Sequence, residues 1–183
     1  MGSFTFRISF IDIWGPLPVP SSGGARYYIA FIDAYTRYVW LYLIQNKTQA
    51  ITVFKSFKLY SEKQTGFLIK SIQTDNAKEF LVFRSFLDEH EIQHRLTCPH
   101  THEQNGSIER KHRYITEMEL FLLASVNLPL TFWGEAFSTV VTIINVLPTV
   151  VLKYDNPYQL LFHKESDYKF FKTFGLLLTF KTV

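Results

Sequence analysis

Residues 4–12, FTFRISFID, alternate apolar and polar side chains with a period of two, which predicts a β-strand. Side chains two positions apart lie on one face of a strand, and here that face carries four apolar side chains followed by Asp12. A carboxylate that is buried without a partner is costly, so Asp12 needs a metal, a cation or a proton unless it simply faces water at the strand end. Position alone leaves both interpretations open.

The pattern that follows this strand predicts an α/β fold. A loop rich in Gly and Pro precedes a predicted hairpin within residues 26–44. The predicted order of elements is β, β, β, α, β, α, β, α, α, which is typical of a mixed five-stranded sheet flanked by helices. The later strands are predicted at residues 67–74 and 92–97, and the helices at residues 48–66, 79–90, 106–126 and 131–147.

Composition indicates an ordered domain with a modest tail. The chain has 183 residues, of which 47% are hydrophobic and 17% aromatic, so it can bury a substantial core. The net charge of +3 permits binding to phosphates without requiring it. Cys98 is the one cysteine, which excludes an internal disulfide and a multi-cysteine metal site. Polar residues interrupt the apolar residues 120–152, so we expect buried helices there and no membrane span.

Two further acids stand where they could meet Asp12. Asp75 ends a predicted strand, although an ordinary Asp-Asn turn explains it equally well. Glu109 lies one turn into a predicted helix, where it and the basic residues that follow could meet a ligand from one surface; the alternative is a solvated face with a Glu109–Arg113 pair. Three carboxylates from two strand ends and a helix could hold paired divalent cations, Mg²⁺ or Mn²⁺, for phosphodiester chemistry.

Other polar and aromatic residues favour structural roles. We expect Asp33 to shape the hairpin turn and Glu79 to favour a helix N-terminus. Trp133 and Phe137 are expected in the core. A zinc site formed by three loop residues is disfavoured, because three donors at this spacing match no standard site. Those three residues are Cys98, His100 and His102.

The ordered motifs of the chain resemble the integrase of copia-type long-terminal-repeat retrotransposons. Each motif is short, but their order and approximate spacing agree over nearly the whole chain. The motifs are DIWGP at residues 12–16, GGARYY at 23–28, TDN at 74–76 with EF at 79–80, CPHT at 98–101, QNG at 104–106, ERKH at 109–112 and LPL at 128–130.

This resemblance implies an RNase H-like fold with an Asp-Asp-Glu catalytic and metal site formed by Asp12, Asp75 and Glu109. It also implies Mg²⁺ or Mn²⁺ as the cofactor, with no further small-molecule cofactor and no membrane. The implied partners are the retroelement DNA ends, the target DNA and further copies of the chain, and the implied location is the nucleus. The residues implied to hold DNA are Asn105, Arg110, Lys111 and Arg113.

Departures from the family pattern leave the present activity open. Ala77 stands where the family usually has glycine, and a positive φ there would strain it. We expect residues 1–150 to form the catalytic core and residues 151–183 to resemble the start of the segment that follows it. Since no zinc-binding N-terminal module is recognisable, we expect a fragment of a polyprotein. The resemblance implies a polynucleotidyl transferase by ancestry, and the alternative is an inactive or domesticated nucleic-acid-binding relic.

Overall fold

The computed structural model describes residues 8–96, 102–171 and 173–174, with the side chains of residues 8–9, 102–109 and 170 excepted. The order of the strands and longer helices agrees with the order predicted from the sequence, with one further short helix near the C-terminus. The strands are β1 (Ile8–Trp14), β2 (Tyr27–Asp33), β3 (Val39–Ile44), β4 (Ser71–Thr74) and β5 (Gln93–Leu96). The helices are α1 (Ala50–Thr65), α2 (Arg84–Glu89), α3 (His102–Ser125), α4 (Trp133–Val146) and α5 (Pro157–Phe162).

The strands form two hydrogen-bonded ladders within the described residues. β1, β2 and β3 make an antiparallel sheet in which Asp12 pairs with Ala30. β4 and β5 pair in parallel, with Thr74 opposite Leu96. β1 also contacts β4, which brings the two ladders side by side. The mixed α/β architecture is confirmed, whereas a single continuous five-stranded sheet is not.

Both faces of the β1–β3 sheet are covered, because successive side chains of a strand point to opposite faces. On β2, Ile29 and Phe31 enter one core, which is completed by α1 and α2. Tyr28 and Ala30 enter a second core, which is completed by α3 and α4. Since Asp12 lies opposite Ala30 in the ladder, Asp12 is on the face that α3 covers.

Helix α1 begins after a short 3-10 turn (Lys47–Gln49) and ends at Gly66, whose φ of +72° suits glycine. Phe54 and Phe57 are fully buried, as the sequence predicts. Helical spacing in the sequence also places Tyr60 on this inner face, and that prediction is wrong, because the Tyr60 side chain is 52% exposed and Ser61 occupies the inner face instead. A helix stripe advances by three or four residues, and here the step after Phe57 is four.

Helix α4 belongs to the most apolar stretch of the chain. By length and composition alone, Leu130–Leu152 could cross a membrane. In the structure, α4 has 14 residues and is therefore about 21 Å long, against the roughly 30 Å of a bilayer core. Trp133 and Phe137 are 2% and 0% exposed, which confirms their predicted place in the core. The packing of α4 against α3 and β3 is that of a buried helix.

Candidate active site

Asp12 is half-buried on β1 and has partners for both carboxylate oxygens. Its Oδ1 accepts a hydrogen bond from the backbone N–H of Ile13 at 2.8 Å. Its Oδ2 lies 3.0 Å from Nε2 of His112, and 32% of the Asp12 side chain is exposed. The buried Nε2 has no aligned hydrogen bond within the described residues, so this approach is a close contact at ion-pair distance. Asp12 therefore faces α3, and a simple solvent-facing strand end does not describe it.

Asp75 follows β4 directly and lies near Asp12. Its Oδ1 accepts a hydrogen bond from the backbone N–H of Ala77 at 3.1 Å. Although the residue as a whole is exposed, desolvation raises the pKa of the Asp75 carboxyl, and the negative charge of Asp12 raises it further. The hydrogen bond from Ala77 and the positive charge of Lys47 oppose this rise. Two carboxylates that repel each other across neighbouring strands are suited to sharing a cation.

The third predicted acid, Glu109, falls in α3 one turn before His112. Its side chain and that of Asn105 lie outside the described residues, so their roles stay predictions. Cys98 and His100 lie in the undescribed segment 97–101, and the side chain of His102 is also undescribed. Among the described side chains, to which Glu109 does not belong, no three His, Cys, Asp or Glu side chains group as metal ligands.

The turn after Asp75 is unstrained. Ala77 has φ −71° and ψ 146°, an ordinary extended conformation, and it precedes the 3-10 turn Lys78–Phe83. The positive φ that would strain alanine at this position is therefore not adopted. Because L-residues adopt this conformation freely, glycine is not required here.

The basic residues that follow Glu109 do not share one surface. Arg110 is exposed, and 70% of the Arg113 side chain is exposed. Nε of Arg113 lies 4.0 Å from Oε1 of Glu117. Lys111 is half-buried, and burial together with the charge of Arg37 lowers its pKa to about 8. His112 does not join this exposed group, because its side chain is 3% exposed.

The sequence did not single out Tyr28 or Glu119, and it grouped His112 with the basic residues of α3 without indicating its contact with Asp12. The Tyr28 hydroxyl lies 3.0 Å from Nδ1 of His112, and burial raises the Tyr28 pKa. Burial also raises the pKa of Glu119 to about 7. The available signal was helical spacing, since His112 and Glu119 fall on the same stripe as apolar side chains. Among the described side chains of α3, the buried stripe consists of His112, Ile115, Glu119 and Leu123.

The structural roles expected of two further acids are confirmed. Oδ2 of Asp33 accepts hydrogen bonds from the backbone N–H and the hydroxyl of Thr36, both at 2.7 Å, inside the hairpin turn. Glu79 lies in the first turn of Lys78–Phe83, and its Oε1 is 2.6 Å from Nζ of Lys47. This ion pair ties the segment after Asp75 to the start of α1.

Comparison with known sequences gives consistent matches. Residues 6–102, just over half of the chain, match the family described as "Integrase core domain". The Pol polyprotein of transposon RE2 from Arabidopsis thaliana is 42% identical over 166 residues, which is 91% of this chain and 11% of that protein. The Pol polyprotein of transposon TNT 1-94 from Nicotiana tabacum is 36% identical over 91% of this chain and 13% of its own length. The chain thus spans about a tenth of the length of these relatives.

Comparison with solved structures concerns the fold alone, because the sequence identities are low. The HTLV-2 integrase catalytic core domain in complex with magnesium (trimeric form) superposes with a TM-score of 0.59 at 20% identity, covering 86% of this chain and 98% of that one. A chain of the simian T-cell lymphotropic virus intasome in complex with PP2A regulatory subunit B56 gamma gives a TM-score of 0.64 at 18% identity, covering 87% and 55%. The predicted RNase H-like fold is confirmed.

Proposed function

The chain belongs to the integrase core domain family, and from this premise we propose that it carries out metal-dependent cleavage and joining of DNA strands. The observation that carries the proposal is the pair formed by Asp12 and Asp75. Asp12 lies on β1 and Asp75 directly follows β4, two strands in contact, and the charge of Asp12 raises the pKa of Asp75. Such a pair is expected where a divalent cation is to be held beside a phosphodiester.

The donor set at this pair fits Mg²⁺ or Mn²⁺. Carboxylate oxygens are the ligands that these hard cations prefer, and Mg²⁺ keeps several waters, so two or three protein ligands suffice. Asp75 is exposed and Asp12 is partly so, which leaves room for water and for a DNA backbone. We assign Asp12 and Asp75 as ligands and Glu109 as the third. A cation held there supplies positive charge to the attacking and departing oxygens of the reaction.

The DNA surface follows from the basic side chains that solvent can reach. Arg110 and Arg113 lie on α3 directly after Glu109 and His112 in the sequence, and their exposed guanidinium groups are suited to phosphate contacts. Lys111 contributes less because it is half-buried. We also propose Asn105 as a fourth DNA contact, on the basis of the family resemblance. Retroelement ends and target DNA are the proposed substrates, and further copies of the chain are the proposed partners.

The domain assignment and the location are also proposals. We assign residues 1–150 to the catalytic core and residues 151–183 to the beginning of the next segment. Support for the first boundary comes from α4, which ends at Val146 after completing the second core. Action in the nucleus follows from the requirement that integration reach chromosomal DNA.

The direct test is an activity assay on a branched DNA substrate that is already aligned for strand cleavage and rejoining. With Mn²⁺ or Mg²⁺ we expect slow cleavage that is lost in Asp75→Asn and kept in Asp155→Asn, a matched change at an exposed aspartate outside the site. Activity that survives Asp75→Asn would contradict the proposal, since it would have to arise elsewhere. DNA binding without any metal-dependent cleavage would leave the noncatalytic relic as the function.

A further inference from the structure

A row of three polar side chains connects α3 to the two strands beneath it. The hydroxyl of Tyr28 on β2 lies 3.0 Å from Nδ1 of His112, and Nε2 of the same ring lies 3.0 Å from Oδ2 of Asp12 on β1. Both ring nitrogens of His112 thus face oxygen atoms, one on each neighbouring strand. The row ends at the carboxylate to which we assign a metal.

The His112 ring is held in one orientation by its surroundings. Its side chain is 3% exposed. The Trp14 ring lies nearly parallel to it, with an interplanar angle of 6° and centroids 6.0 Å apart. The Tyr28 ring borders it with centroids 5.7 Å apart. Further along α3, the Thr116 hydroxyl donates to the backbone carbonyl of His112 at 3.0 Å. A ring packed in this way presents Nε2 to a fixed point in space.

The contacts of Asp12 leave its carboxylate little freedom to rotate. Oδ1 is held by the backbone N–H of Ile13, and Oδ2 faces Nε2 of His112. A phenol has one proton to donate, and when Tyr28 donates it to Nδ1, the neutral imidazole carries its own proton on Nε2. Nε2–H is then a donor at contact distance from Oδ2. The lone pairs that remain on the carboxylate are the ones available to a cation.

We propose that His112 is a positioning residue that orients the Asp12 carboxylate for metal binding, and that Tyr28 sets which ring nitrogen does so. This inference rests on the proposed function, because it concerns the same metal site. Partners that orient a metal-binding side chain typically change metal affinity 10- to 100-fold when they are removed. Neither His112 nor Tyr28 touches the substrate in this arrangement; both act through Asp12.

The competing explanation is that His112 only fills space between α3 and the sheet. Two substitutions separate the explanations. His112→Phe keeps a ring against Trp14 but has no donor, whereas His112→Gln has a smaller planar group that places an N–H donor at about the reach of Nε2. Tyr28→Phe removes only the hydroxyl that faces Nδ1. His90→Phe, at an exposed histidine after α2, is the matched control.

The experiment measures the dissociation constant of Mn²⁺ by electron paramagnetic resonance, with thermal unfolding recorded to verify that each variant folds. We expect binding to weaken about 10-fold in His112→Phe, less in Tyr28→Phe, and to be largely restored in His112→Gln. His90→Phe should bind as the unaltered chain does. The positioning role would be overturned if the Mn²⁺ affinity of the variants followed their thermal stability, and if His112→Phe bound Mn²⁺ as tightly as His112→Gln or more tightly. If His112→Phe does not fold, unchanged affinity in Tyr28→Phe would overturn it.

Asp12→Asn separates this inference from the proposed function. If Asp12→Asn leaves Mn²⁺ affinity unchanged, the metal is not at Asp12 and both proposals fail. If Asp12→Asn weakens binding while His112→Phe and Tyr28→Phe bind normally, the metal site stands and only the positioning role is lost. Weaker binding in Asp12→Asn and His112→Phe with recovery in His112→Gln supports both.

Discussion

The side-chain amide of Asn145 makes two hydrogen bonds with the backbone of Val39, accepting from its N–H at 2.9 Å and donating to its carbonyl at 2.8 Å. Both residues are buried, with 4% and 1% exposed. The pair joins the end of α4 to the beginning of β3. The Asn145 side chain thus bonds the N–H and carbonyl of Val39 that a further strand beside β3 would otherwise bond. It fixes α4 against the sheet that carries Asp12.

Asn145→Ala should therefore destabilise the fold strongly. Its removal leaves a buried N–H and a buried carbonyl without partners, which costs about 2–4 kcal/mol in free energy of unfolding. For a chain of this size the expected decrease in Tm is roughly 4–16 °C. Thr142→Ala, an exposed change on the same helix, is the control and should stay within about 0.5 kcal/mol. A decrease for Asn145→Ala as small as the control's would show that the two hydrogen bonds do not secure α4.

Glu119 should make stability depend on pH. Its pKa in the folded chain is raised to about 7 from an ordinary value of 4.5, because burial disfavours the charge. Between pH 4.5 and 7 the unfolded chain has lost this proton while the folded chain keeps it, so stability falls as pH rises through this window. Above pH 7 the folded chain bears the full cost of burying the ionised Glu119 carboxylate, on the order of 2 kcal/mol in free energy of unfolding. Glu119→Gln should remove it.

The measurement is urea unfolding of both chains at pH 5 and pH 8. We expect Glu119→Gln to be more stable than the unaltered chain at pH 8 and to show a smaller difference at pH 5. Glu117→Gln, two positions away on the exposed side of α3, should show no such change. The quantity compared is the stability gained by Glu119→Gln over the unaltered chain at each pH. If this gain is no larger at pH 8 than at pH 5, Glu119 is ionised at little cost in the folded chain.

Ala77 should lose stability when it is changed to glycine. Because its φ is −71°, glycine gains nothing in the folded chain and adds conformational freedom to the unfolded one, a loss of about 0.4–1 kcal/mol. Gly66→Ala should also lose stability, but through strain in the folded chain, because alanine is disfavoured at the φ of +72° found there. Thermal unfolding compares the two. A gain in stability in Ala77→Gly would restore the idea that the turn after Asp75 requires glycine.

The salt dependence of DNA binding should divide the basic residues of α3. The double change Arg110→Ala with Arg113→Ala should flatten the slope of log K against log salt by about two units, since each lost phosphate contact contributes about 0.9. Lys111→Ala should have a smaller effect, because its ammonium is half-buried. Fluorescence anisotropy in increasing KCl gives the slopes, with the exposed Lys164→Ala as the control. Equal slopes in the double variant and the control would place the DNA surface elsewhere.

Much of the fold was predictable because it depends on local patterns. Alternating apolar residues identified β1 and placed Asp12 on it, and the run before Asp75 identified β4. The inner side of α1 was predicted less well, because spacings of three and four both continue a helix stripe and the sequence does not decide between Tyr60 and Ser61. The sequence did not decide the conformation of the turn at Ala77, because a family preference for glycine does not by itself show that φ is positive.

The contacts around the candidate site were the least predictable part. His112 lies in a run of basic residues, and such runs are usually solvated. Only the packing of α3 on the sheet distinguishes His112, which faces inward, from Arg113, which faces water. Glu119 was missed although it shares a helical stripe with Ile115 and Leu123, because spacing alone does not show which stripe of α3 packs on the sheet. Long-range packing therefore supplied what periodicity could not.

The measurement that tests the central claim most directly is anomalous X-ray scattering from crystals of the chain soaked in Mn²⁺ at neutral pH. The account predicts an anomalous peak between β1 and β4, with an oxygen of Asp12 and an oxygen of Asp75 each at a bonding distance of roughly 2.1 Å. The peak should disappear in crystals of Asp75→Asn and persist in crystals of Asp155→Asn. A peak bound to neither aspartate, or none at saturating Mn²⁺, would contradict the claim that these two carboxylates form a metal site.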